Sequence, residues 1–303
     1  NAVNATTASP DFLLNRIQLD YQSLWFGVSD RGARLTRIIN QGAALYEAAY
    51  TPVSTNGTWS NAYANILADI DFLLPLAETS NLQRHMGIAK TIKAMVLMDL
   101  VDTYGDVPYS EALMLDESVS QPKYDKQEDL YPQMLADLDA AISTLDATKD
   151  KPTSDIYYNG NIAKWRSFGY SLMLKMAMRL TAADAATAKL YAEKAAAGGV
   201  FTSVADEAIS PTDDANGFDN GNGASFTVSA DVYEVRWSKT LIDYLKSNIY
   251  IHVTSKISLS RLKSVSKEPK TVEWIENYFK DWESSHKAKG KELISDLIAS
   301  RME

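Results

Sequence analysis

Residues 87–113, GIAKTIKAMVLMDLVDTYGDVPYSEAL, decide the predicted fold because they combine a long buried helix with a sharp stop. Apolar residues recur along the stretch at steps of three and four, the spacing of a buried helical face: Ile88, Ile92, Met95, Val96 and Leu100. Gly105 suits the left-handed turn that closes many helices, and Pro108 prevents an immediate restart. The pattern therefore predicts a helix followed by a short loop that carries Tyr104 and Tyr109.

A capping box predicts where this central helix starts. Ser80 and Gln83 have the S-x-x-Q spacing, in which each side chain hydrogen-bonds a backbone N–H group near the other residue. We therefore expect the helix to begin near Asn81. Ala89 and Ala94 lie within it and are small enough to let a second helix come close.

Apolar residues with helical spacing also occur on both sides of the central helix. The predicted segments are helices over 10–25, 31–49 and 59–75, a loop over 50–58, a polar connector over 114–126, a helix entered near Pro132, a helix over 165–180 and an alanine-rich partner over 182–197. Loops and short strands are expected from Gly198 onward. Successive helices with short connectors indicate a mostly α-helical fold of stacked helical hairpins.

Composition limits the function classes. The chain has 303 residues, 46% of them hydrophobic, which is enough for a large core. No apolar run approaches the roughly 18 residues of a membrane-spanning helix, so no transmembrane segment is predicted. The net charge of −9 argues against a nucleic-acid partner, which favours a basic surface. The absence of cysteine excludes disulfides, thiol catalysis and cysteine metal sites within these residues.

Three segments in the same order resemble the SusD/RagB-type outer-membrane lipoproteins. They are KTIKAMVLMDLVDTYGDVPYSEAL at 90–113, YPQMLADLDAAISTLD at 131–146 with DIYYNGNIAKWRSFGYSLMLKMAMRL at 155–180, and VRWSKTLIDYLKSN at 235–248. The resemblance covers about residues 10–248. It implies tetratricopeptide-like helical units and a binding protein without catalytic activity or a cofactor, which captures a nutrient for a SusC-like TonB-dependent transporter.

The resemblance also implies a cellular location for the protein. Members of this family are lipid-anchored on the cell-surface side of the outer membrane, and the anchor is carried by a cysteine. Since the chain contains no cysteine, we expect the anchor to have been removed with a preceding segment. A glycan is the expected ligand. An oligopeptide ligand, an all-α glycan-degrading enzyme and a helical-repeat scaffold for proteins are the alternatives.

The sequence changes character after residue 248. Residues 249–303 do not match the family, their net charge is positive, and they contain a pair of amphipathic helical patterns. We therefore predict a flexible arm at 1–9, a family domain at 10–248 that is truncated relative to the family, and a divergent or foreign helical tail at 249–303.

Sugar-binding sites combine aromatic rings with polar side chains, because sugars present apolar faces edged by hydroxyl groups. Tyr50, Asn56 and Trp59, on and beside the predicted loop 50–58, are therefore the predicted ligand-binding residues. The competing interpretation places Trp59 in the core, because Tyr63 stands four residues away on the same helical face. Tyr104 and Tyr109 are predicted to pack against the helix end, and Trp165 and Trp237 to lie in the core.

Two pairs of carboxylates are the candidates for acid–base chemistry. Asp99 with Asp102, and Asp137 with Asp139, stand at separations that a helix can bring to the spacing of glycosidase carboxylates. Acidic residues on the helices of an acidic protein are usually solvated, so a catalytic role is not predicted.

Histidines and acidic loops give no metal prediction. His85, His252 and His286 stand in unrelated segments, and no H-E-x-x-H motif is present. The loop between Asp213 and Asn222 offers oxygen ligands for calcium. It departs from the EF-hand pattern because Phe218 occupies a ligand position and no glutamate closes the loop, so we predict no metal.

Overall fold

The structure is a computed structural model. It describes residues 9–36, 38–40, 56–114, 119–146, 148, 150–210, 212, 236–239 and 241. Several predictions fall outside these residues: Tyr50, the calcium loop, the tail 249–303, and the helical pattern over 41–49. The domain boundary near residue 248 stays a prediction for the same reason.

The described residues are mostly helical, which confirms the predicted fold class. The helices are α1 (Pro10–Leu35), α2 (Asn56–Ser60), α3 (Ala68–Thr79), α4 (Gln83–Tyr104), α5 (Gln127–Thr144), α6 (Ile162–Arg179) and α7 (Ala185–Gly198). A π-helical segment, Asn61–Leu67, joins α2 to α3, and a 3₁₀ turn, Val204–Asp206, follows α7. Strands β1 (Ile39–Asn40) and β2 (Arg236–Trp237) pair antiparallel, with Ile39 opposite Trp237.

Helix α4 lies at the centre of the stack. It packs against α1, α3, α5 and α6, and α5, α6 and α7 follow as successive neighbours. All five apolar residues predicted to form its buried face are buried, as are Ala89 and Ala94. The prediction that this helix organises the fold is confirmed. At its end, Gly105 has a positive φ of 79° with a ψ of −117°, so the helix stops at the predicted glycine, but in a conformation outside the left-handed helical region.

The predicted capping box is wrong, because Ser80 ends α3 instead of capping α4. The N–H group of Leu82 donates to the carbonyl of Ala77 (2.8 Å), and the N–H group of Asn81 donates to that of Glu78 (3.0 Å). Asn81 is left-handed, with a φ of 56°. This is a Schellman motif, which satisfies the last carbonyl groups of a helix. Helix α4 therefore begins at Gln83, without a side-chain cap.

Other predicted boundaries also differ. Helix α1 continues to Leu35 where a break after residue 25 was expected, since the stretch contains no proline and a helix tolerates glycine at a cost of about 1 kcal/mol. Pro75 lies inside α3 and Pro132 inside α5, so neither residue sets a boundary. The first N–H group of α5, at Gln127, donates to the carboxylate of Asp106 (2.8 Å), which fixes that start from another loop.

A buried carboxylate ties the first helix to α6. Asp155 is only 5% exposed and accepts hydrogen bonds from the side chains of Gln18 (2.7 Å) and Trp165 (2.8 Å) and from the backbone N–H group of Gly160 (2.8 Å). Gln18 in turn accepts from the N–H group of Ile156 (3.0 Å). Trp165 is fully buried, which confirms its predicted place in the core. A charge so buried is stable only because every oxygen has donors.

The first histidine is also a structural residue. His85 is 3% exposed, and its ring nitrogens lie 2.6 Å from a carboxylate oxygen of Asp150 and 3.3 Å from one of Asp11. Asp11 also accepts from the N–H group of Thr153 (2.8 Å). These contacts join the first turns of α1 and α4 to the loop before α6. His252 and His286 lie outside the described residues.

Candidate functional site

Four aromatic side chains gather where α2 and the π-helical segment meet the end of α4. The ring of Trp59 lies 4.7 Å from that of Tyr63 and 5.1 Å, edge-on, from that of Tyr104. The ring of Tyr124 is stacked on Trp59 at 6.2 Å and 21°. We call these four residues the aromatic cluster. Such geometries are favourable between aromatic rings and hold the cluster together without a buried charge.

Hydrogen bonds from the π-helical segment hold one side of the cluster. The side chain of Asn61 donates to the carbonyl of Asp20 on α1 (3.0 Å), and Asn65 donates to Asn61 (3.0 Å). The hydroxyl of Tyr63 donates to the carbonyl of Pro108 (2.7 Å). Burial raises the pKa of Tyr63 well above its usual value, so this hydroxyl remains a donor. π-helical turns are frequent at functional sites.

The loop after α4 brings Tyr124 to the cluster. Val107 and Asp125 exchange two backbone hydrogen bonds, which bring the two ends of this loop together. The carboxylate of Asp125 accepts from the N–H groups of Tyr109 (3.0 Å) and Ser110 (2.7 Å). Although desolvation acts in the opposite direction, these bonds hold the pKa of Asp125 below its usual value. Hydrogen bonds thus hold the two ends of this loop together beside Tyr124.

The predicted ligand-binding residues lie as follows. Asn56 is exposed at the first residue of α2, and Trp59, one turn later, is half-buried within the aromatic cluster. Tyr50 is outside the described residues. Trp59 packs against three rings and also lies beside solvent, and its role in ligand binding stays a prediction.

Sequence reasoning missed Tyr124, which was included in a polar connector. Its side chain is 61% exposed although its ring is stacked on Trp59, so one ring face is open to solvent. No pattern around residue 124 marks it, since it reaches the cluster through the pairing of Val107 with Asp125. Tyr104 and Tyr109 are partly buried against the core, as expected for residues that pack at a helix end.

Every carboxylate considered for acid–base chemistry has a structural partner. The hydroxyl of Tyr21 donates to Asp99 (3.0 Å), and that of Tyr131 donates to Asp102 (2.5 Å), which also pairs with Arg179 (3.0 Å). The remaining pair is held by Tyr109 and Lys194, which bind Asp137 and Asp139 respectively. Within the described ranges, no group of three or more His, Asp or Glu residues is arranged to hold a metal ion.

Asp99 allows a prediction about pH. Burial raises its pKa to about 6, above the ordinary value of 3.8, because the charged form is desolvated. The folded state therefore binds a proton more tightly than the unfolded state. The contribution of Asp99 to stability is largest below the unfolded pKa and is lost as the pH rises through about 6.

We therefore expect Asp99→Asn to raise the free energy of unfolding, because asparagine has no charged form to desolvate. The increase should be about 1–3 kcal/mol larger at about pH 8 than at about pH 4. Urea unfolding of both proteins in the two buffers measures the difference. Asp71→Asn, an exposed position on α3, reports the general effect of removing one negative charge. An equal effect of Asp99→Asn at both pH values would contradict the prediction.

The comparisons with known proteins agree with this architecture. The SusD-like family model described as "starch-binding associating with outer membrane" matches residues 1–248. The chain belongs to this SusD-like family. The match ends at the residue after which the sequence changes character. No curated protein matched the chain.

Solved structures show the same fold. A protein named as chitin-binding is 30% identical to the chain, with a TM-score of 0.69 over 81% of this chain and 54% of its own. A chitin-binding SusD homologue from Flavobacterium johnsoniae is 24% identical, with a TM-score of 0.64 over 80% and 52%. A SusD homologue from Bacteroides fragilis is 22% identical, with a TM-score of 0.63 over 81% and 52%.

The chain therefore spans about half the length of these structures. None of the helices in the described part of the chain has the length and apolar character needed to cross a membrane.

Proposed function

We propose that the protein captures glycans at the cell surface without altering them, and that the aromatic cluster is its binding site. The observation that carries the proposal is the open face of Tyr124 stacked on Trp59, in a chain that belongs to the SusD-like family. Glycan specificity in a 30% identical relative named as chitin-binding supports the ligand class.

The chemistry of the cluster suits a sugar ring. The apolar face of a pyranose packs on the exposed face of Tyr124, while Trp59 beneath it keeps that ring in place. Polar groups stand nearby for the sugar hydroxyls, since Ser110 and Lys123 both contact Asp125, the residue after Tyr124. Asn56, exposed one turn before Trp59, is a further hydrogen-bonding side chain.

Chitooligosaccharides and starch oligosaccharides are the first ligands to test by calorimetry. Tyr124→Ala is expected to weaken binding about tenfold, because one stacking surface is lost. The melting temperature should change little, as the side chain is mostly exposed. Trp59→Ala should abolish measurable binding and lower stability, since it removes the support of the cluster.

Phe12→Ala is the matched control, because Phe12 is an exposed aromatic residue (78%) on the first turn of α1. It should bind like the wild type. Unchanged affinity of Tyr124→Ala would show that glycans bind elsewhere. Binding of peptides instead of glycans would favour the oligopeptide alternative.

The absence of turnover is part of the proposal. It is supported by the structural partners of Asp99, Asp102, Asp137 and Asp139. Prolonged incubation with a bound glycan should release no new reducing ends. Reproducible release that is lost in a single carboxylate variant would establish the enzyme alternative.

We further propose that the intact protein is lipid-anchored on the outer membrane and delivers its ligand to a SusC-like TonB-dependent transporter. The family description, which includes association with the outer membrane, supports this location. Co-purification of the anchored protein with the transporter from detergent-solubilised membranes tests the proposal. Recovery of the protein without the transporter would contradict it.

A further inference from the structure

A small cleft lies between α3, α4 and α5. Its volume is about 220 Å³. Buried apolar side chains of Ala94, Leu97 and Met134 form its floor. Two lysines, Lys90 and Lys93, line it from α4. We call it the lysine cleft.

The two lysines are the cationic residues that line this cleft. They stand three residues apart on α4, so their side chains share one face of the helix. Within the described part of the chain, neither forms an ion pair with a carboxylate. The ammonium group of Lys93 lies over the ring of Tyr109, 5.6 Å from its centroid. This contact neutralises no charge, because the aromatic ring is uncharged.

The one carboxylate that lines the cleft is already engaged by neutral donors. One oxygen of Asp137 accepts from the side chain of Gln133 (2.8 Å), and the other accepts from the hydroxyl of Tyr109. Burial raises the pKa of Tyr109, and the hydrogen bond to Asp137 raises it further, so the phenol stays protonated. In a chain of net charge −9, the lining of this cleft therefore carries two lysines that form no ion pair among the described residues, beside one engaged carboxylate.

We propose that the lysine cleft binds the anionic group of an acidic sugar, a carboxylate or a sulfate, with the sugar ring on the apolar floor. This inference rests on the proposed function and names a class of glycan for the same protein. The volume lies below the roughly 300–1,000 Å³ of drug-sized ligand pockets, so the cleft admits about one sugar residue. Lysine ammonium groups act as point charges and suit a single carboxylate or sulfate.

Calorimetry with matched oligosaccharides tests the proposal on the full chain. Oligogalacturonate carries one carboxylate per residue, and its methyl ester is the same chain without charge. We expect the acid to bind about tenfold more tightly than the ester at low salt, and the preference to shrink at high salt. A sulfated galactose oligosaccharide and its desulfated form distinguish sulfate from carboxylate recognition.

The double variant Lys90→Gln, Lys93→Gln should lose the preference for the acid while keeping the affinity for the ester. Lys189→Gln is the control for removing a positive charge elsewhere on the surface, because Lys189 is an exposed residue of α7 that pairs with Glu193. This control should keep the full preference. Melting temperatures measured on all variants identify any loss of folding.

The outcomes separate the two proposals. Equal affinity for the charged and uncharged forms of both oligosaccharides would overturn the proposal for the lysine cleft. An equal loss of the preference for the acid in Lys189→Gln would also overturn it. If neutral glycans still bind in a manner that depends on Tyr124, the proposed function stands. If no glycan of either kind binds, both proposals fail.

Discussion

Replacing Trp165 with alanine is expected to lower the free energy of unfolding by about 3–5 kcal/mol. The side chain is fully buried on α6 and packs edge-on against Tyr157, Tyr158 and Phe168. Its removal leaves a large cavity among these rings. It also removes one of the donors to the buried carboxylate of Asp155 (2.8 Å). Both losses act in the same direction.

Trp165→Phe separates the two contributions. Phenylalanine keeps an aromatic ring in the core but lacks the indole N–H group, so the loss should be smaller, about 1–3 kcal/mol. Chemical unfolding followed by circular dichroism measures both variants. Equal stabilities of the wild type and Trp165→Ala would show that neither the cavity nor the carboxylate matters.

Met95→Ala should cost about 2–5 kcal/mol of the free energy of unfolding, through lost burial and a residual cavity. Met95 lies on the buried face of α4, and its side chain is part of the main core. Because α4 contacts helices on several sides, a cavity beside it weakens more than one helix pair. The same unfolding experiment measures the loss.

The matched control is Met178→Ala. Met178 lies on α6 but is 56% exposed, so the same truncation removes little buried surface. This variant should unfold within about 0.5 kcal/mol of the wild type. If Met95→Ala behaved in the same way, α4 would not be the central helix of the core.

The central helix could be predicted because its signal is local. Ile88, Ile92 and Val96 repeat at four-residue steps, and burial follows directly from that spacing. Its start could not, because Ser80 fits an N-cap and a C-cap equally well in sequence. The left-handed conformation of Asn81 and the two hydrogen bonds of the Schellman motif assign Ser80 to the end of α3.

The candidate site was predictable in part. Trp59 is an aromatic residue beside a loop signal, and both features are visible in the sequence. Tyr124 reaches Trp59 from 65 positions along the chain, through the backbone pairing of Val107 with Asp125. No periodicity encodes a contact of this kind, so the place of Tyr124 in the aromatic cluster could not be predicted from the sequence.

The hydrogen bond between Gln18 and Asp155 has a consequence for how the chain folds. The two residues are 137 positions apart, so the contact closes a long loop, and contacts of this range form late because chain entropy opposes them. Helix α1 is thus synthesised well before the loop that carries Asp155, which is the partner of its buried amide. A chain released before Asp155 leaves Gln18 without that partner. Helix α1 then offers an apolar face to whatever binds unfolded chains.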